Sequence, residues 1–102
     1  MEFAVNPNAV DVKKALAEGK KYRIIYDRQA CIGAAACIAV FDKRWEMAPD
    51  NKANLKGGWQ VNGDVWILDI DDLEFEDLKT SGEVCPVNVI HVFKLETGEK
   101  IV

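Results

Sequence analysis

Three cysteines constrain this chain more than any other feature. Cys31 and Cys37 close a short segment, Cys31-Ile32-Gly33-Ala34-Ala35-Ala36-Cys37, and Cys85 stands far downstream, directly before Pro86. Three thiols cannot all pair within one chain, and an oxidising compartment would tend to capture two of them as a disulfide. The set is therefore expected to act as thiols or thiolates in a reducing interior. The residues between the first two are small. Gly33 can take a positive φ, and the methyl groups of Ala34, Ala35 and Ala36 let the main chain, with its N–H donors, approach closely whatever the thiols surround.

The remaining composition narrows the function classes. A chain of 102 residues, 49% of them hydrophobic, supports one modest core. A formal net charge of -4 repels phosphates, so nucleic acid is not an expected partner, and a protein with a basic docking surface is. No apolar run is long enough to span a bilayer, and the stretch from Met1 to Pro7 lacks the layout of a signal peptide, so a cytoplasmic, membrane-free protein is expected. There is no phosphate-binding glycine loop and no serine-histidine-aspartate arrangement, and no enzymatic activity is expected.

The cysteine spacing points to metal chemistry. An iron-sulfur loop of the C-x2-C-x2-C type supplies three thiolates from one segment and takes a fourth from elsewhere, followed by proline. In this chain the middle position is Ala34, which can ligate nothing, so Cys31, Cys37 and Cys85 offer three thiolates. That number suits a 3Fe-4S cluster, in which each iron takes one protein ligand and the missing corner would face Ala34. Zinc fits less well, because its modules use close pairs such as C-x2-C rather than C-x5-C. A redox pair between Cys31 and Cys37 would leave Cys85-Pro86 unexplained.

On Cys31, Gly33, Cys37, Cys85 and Pro86, and on the order of its hydrophobic segments from about Lys21 to Ile101, the chain resembles the single-cluster bacterial-type ferredoxins. Within that family it is similar to members whose middle cysteine is replaced. The resemblance implies an α+β, ferredoxin-like fold: a small antiparallel sheet with two helices, the first strand pairing with one near the carboxyl terminus. It also implies a one-electron carrier with redox proteins as partners, with Cys31, Cys37 and Cys85 as ligands and Gly33 and Ala34 shaping the pocket. The alternative is a sensor or cluster-handling protein with a labile fourth iron, a 4Fe-4S cluster lacking a cysteine at one corner. Residues 1–20 and roughly Gly57 to Asp64 lie outside the resemblance. The expected organisation is thus a helical extension over 1–20 and a cluster domain over 21–102, with an inserted hairpin.

The pattern along the chain supplies the elements. Asn8 caps an expected helix to about Glu18, stopped by Gly19. Lys20 to Asp27 reads as a strand, and a helix is expected from about Ala35 to Lys43 or Arg44, with Ile38, Phe41 and Trp45 on one side. Hairpins are expected about Pro49-Asp50-Asn51 and about Asn62-Gly63. Asp69 to Asp77 holds six carboxylates, with Asp71 and Glu74 spaced as a capping pair for a helix before Cys85. This acidic run reads either as a solvated helix start or as a docking patch for a basic partner. Val89 to Leu95 is the expected last strand, with Ile90 and Val92 on one face and His91 and Phe93 on the other. His91 is expected at the surface or half-buried, and not as a metal ligand.

Overall fold

The computed structural model describes residues 17–102. The helix expected from Asn8 lies outside the described residues except at its end, where Ala17 is helical and Gly19 takes φ +85, the left-handed conformation of a helix stop. Among the described residues no helix is long and apolar enough to cross a membrane.

The fold is α+β. Strand β1 (Tyr22–Asp27) lies inside a four-stranded antiparallel sheet with β4 (Trp59–Asn62), β5 (Val65–Ile70) and β6 (Ile90–Lys94), in the order β4-β5-β1-β6. A second sheet is the hairpin of β2 (Trp45–Met47) and β3 (Ala53–Leu55). The sheets are joined by the helices α1 (Ala36–Val40) and α2 (Phe75–Val84).

β1 lies between β5 and β6 and is buried on both faces, and on one of them the charged Arg23 is paired with Asp69. Ile24 and Tyr26 point to the side on which Trp45, Leu55, Leu78, Val89 and Val92 gather, whereas Ile25 joins Ile67 and Phe93 on the other. Its pairing with β6, Ile24 opposite Val92 and Tyr26 opposite Ile90, is the strand pairing that the resemblance implied. The hairpin expected as an insertion does more than append itself, since β5 pairs with β1 from Tyr22↔Ile70 to Asp27↔Val65. Its two-residue loop is Gly63-Asp64, one residue later than the expected Asn62-Gly63, with Asn62 opposite Val65.

Small residues let α2 lie close to the sheet. Ser81 and Gly82 are buried, and a Cβ on Gly82 would meet the Ile90 carbonyl oxygen at 3.0 Å and Val102 Cγ1 at 2.8 Å. The Ser81 hydroxyl donates to the Asp77 carbonyl at 2.9 Å and accepts from Trp45 Nε1 at 3.2 Å, so the largest buried side chain also has its polar atom satisfied. Burying a side chain of this size contributes about 1.5–3 kcal/mol or more.

Three further expectations are corrected. α1 ends at Val40 rather than near Arg44, because Phe41 turns to φ -151 and its carbonyl accepts from both Arg44 and Trp45, feeding Trp45 into β2. The Asp71–Glu74 capping pair is not reciprocal. Asp71 accepts from the Leu73 N–H, but Glu74 instead forms a two-pronged ion pair with Arg44 at 2.5 and 2.8 Å. His91 is buried rather than surface or half-buried, with its Nδ1 3.0 Å from the Val102 carbonyl oxygen, because the chain after Gly98 folds back over β6. The acidic run is partly neutralised within the protein: Asp69 pairs with the buried Arg23, Asp72 with Lys21 and Glu74 with Arg44.

Candidate metal centre

The three thiols reach one place by three different routes. β1 ends at Asp27, and a single 3-10 turn, Arg28–Ala30, carries the chain to Cys31, whose N–H donates to the Arg28 carbonyl at 3.1 Å. Cys37 is the second residue of α1 and is buried. α2 ends at Val84, and Cys85 is extended (φ -66, ψ 117), as the residue before a proline should be. All three line one pocket, together with Tyr26, Ile32, Ala34, Ala35, Ala36, Pro86, Val87, Val89 and Ile90. Its wall carries no charged side chain.

The loop between the first two cysteines turns twice through the left-handed region. Gly33 has φ +73 and Ala35, capping α1, has φ 62 and ψ 10. The glycine was legible as a turn residue, but the alanine was not. Gly33 is also wedged against the β2–β3 turn, where Asn51, itself at φ 64, leaves no room for a Cβ. Lys52 from the same turn donates its ammonium to the Gln29 carbonyl at 2.7 Å and the Cys31 carbonyl at 2.8 Å. Arg28 completes the buttress, with Asp50 at 2.8 Å, Asp64 at 3.1 Å and Asn54 Oδ1 at 2.9 Å. Tyr26, Asn51 and Lys52 are thus site residues that sequence reasoning missed. The hairpin was legible, but its packing against the loop was not.

The electrostatics set Cys31 and Cys37 apart. Burial alone would push the Cys31 thiol up, but the Tyr26 hydroxyl, the peptide N–H groups of Ala53 and Gly33 and the Lys52 charge together bring it below its ordinary value of 9.0. The Tyr26 hydroxyl is buried, donates to the Ala53 carbonyl at 2.8 Å and lies within reach of Cys31, so a thiolate there competes for its proton. Cys37 goes the other way, pushed up to about 11 by burial and by the negative charge of Cys31 and Cys85, with the Ile38 N–H opposing. Three thiolates converging on an apolar pocket repel one another, so the set fits a cationic group that all three can share. Among the described residues no three His, Cys, Asp or Glu side chains are drawn close enough together to hold a single metal ion.

The family model of the 4Fe-4S single cluster domain matches residues 24–92, a span that contains all three cysteines, α1 and α2. No curated protein and no solved structure matches the chain. With its thiols facing one pocket, and with that model covering more than half its length, the chain belongs to the 4Fe-4S single cluster domain family and is an iron-sulfur protein of ferredoxin type.

Proposed function

We propose that this protein is a one-electron carrier rather than an enzyme, holding a 3Fe-4S cluster by Cys31, Cys37 and Cys85. The observation that carries the reading is the pocket itself: three thiols and the Ala34 methyl share its wall, so one corner of the site has no protein donor. When bound, such a cluster supplies a one-electron couple without an open coordination site for substrate. The protein's own residues do the rest. Tyr26, Val89 and Ile90 keep water from the inner side, and the N–H groups of Gly33 and Ile38 stabilise negative charge on Cys31 and Cys37. Gly33 and Ala34 keep the wall thin on the outer side, where Ala34 and Ala35 are exposed, which suits electron transfer to a redox protein docked there.

A second reading has one observation in its favour, the four-iron cluster in the family's description. In that reading the corner beside Ala34 holds a fourth iron with an exchangeable non-protein ligand, and the protein senses iron supply or handles clusters.

The ligand assignment is tested by Cys85→Ala, made and purified without oxygen. Loss of the visible cluster absorption with far-ultraviolet circular dichroism unchanged supports it. An intact cluster spectrum in that variant would sink it.

A further inference from the structure

We propose that Lys52 sets the reduction potential of the centre, and that it does so through its positive charge beside Cys31. The inference rests on the carrier reading above and concerns a residue outside the pocket wall. Lys52 follows the β2–β3 turn, and its half-buried side chain crosses to the cysteine loop, where the ammonium is held by the carbonyl oxygens of Gln29 at 2.7 Å and Cys31 at 2.8 Å. Carbonyls orient a cation without cancelling it. Among the described residues Lys52 forms no ion pair, in contrast with Arg28 nearby, whose charge is taken up by Asp50 and Asp64. The loop is therefore left with one uncompensated positive charge at a fixed position, in a protein of net charge -4.

The direction of the effect follows from charge. Reduction adds one electron and makes the thiolate-bound group more negative, so a fixed cation beside it stabilises the reduced form more than the oxidised form and raises the potential. Burial strengthens this by lowering the local dielectric and limiting screening. The position of Lys52 is not left to chance, because Asn51 beside it is packed on Gly33.

Wild type, Lys52→Arg, Lys52→Met and Lys52→Gln are purified without oxygen, iron and sulfide are counted in each, and midpoint potentials are measured by dithionite titration. The expected result is equal cluster content, a shift to lower potential shared by the Met and Gln variants, and a potential close to wild type in the Arg variant. Lys52→Gln keeps a hydrogen-bond donor without charge. Should Lys52→Met not load, the Gln variant carries the comparison. Loaded variants with coincident potentials overturn the proposal, as does a Gln variant that behaves like wild type, since the donor rather than the charge would then matter. Wild-type protein that holds no iron-sulfur cluster would instead overturn the reading on which the proposal rests.

Discussion

A Cβ on Gly33 would collide with the carbonyl oxygen of Asn51. This contact joins the cysteine loop to the β2–β3 hairpin, and it makes the hairpin turn part of the candidate site without adding a thiol to it.

Gly33→Ala is therefore expected to damage the site twice. The residue sits at φ +73, which costs a non-glycine side chain roughly 1–3 kcal/mol, and the backbone of Asn51 must also move. Iron content after anaerobic purification should fall well below wild type. Ala35 gives the opposite sign nearby. It already holds φ 62 and is exposed, so Ala35→Gly should raise the denaturation midpoint by an amount worth about 1 kcal/mol, with the cluster spectrum retained.

Acid sensitivity has a specific contribution from Glu74. Arg44 holds its carboxyl below the ordinary value of 4.5, with Lys43 and Lys20 adding to the effect against the opposing push of burial. A carboxylate depressed in the folded state stabilises fully above its unfolded value, and that stability is lost as pH falls through the folded one. Glu74→Gln should therefore cost on the order of 1 kcal/mol at pH 7, and the gap from wild type should close as pH drops below 4.5. Urea titrations across that window read this directly.

His91 acts at milder pH. Burial, assisted by Lys100, holds its imidazole below the ordinary 6.5, against the carbonyl of Val102, which favours the charged ring. The unfolded chain binds a proton first, so stability present above 6.5 declines as pH falls towards the folded value. His91→Asn keeps a donor near the Nδ1 position but cannot titrate. Its denaturation midpoint should be flat between about pH 7.5 and 5, where that of wild type slopes.

What could be read from the sequence was what local chemistry dictates. Cys31, Cys37 and Cys85-Pro86 converge on one pocket, Pro49-Asp50-Asn51 turns a hairpin, and the alternation of Ile90 and Val92 with Phe93 assigns the faces of the last strand. What could not be read depends on residues far apart in the chain. Glu74 has the spacing of a capping partner, and only the fold shows that Arg44, thirty positions earlier, is the stronger claimant. His91 looks like an ordinary strand histidine until the chain end folds over it. Ala35 carries no mark of a left-handed residue, because alanine ordinarily favours the right-handed helix and takes this conformation only where the loop imposes it. Lys52 is one of many lysines, and its role appears only when the hairpin is seen against the cysteine loop.

The central claim, three irons held by three cysteines beside Ala34, is tested most directly on wild-type protein purified without oxygen. Iron and sulfide are counted, the protein is gently oxidised, and its electron paramagnetic resonance spectrum is recorded. The account predicts three irons per chain and a paramagnetic oxidised state, since an oxidised three-iron cluster has an odd electron count. Four irons with a silent oxidised state would contradict it and put a non-cysteine ligand at the corner beside Ala34.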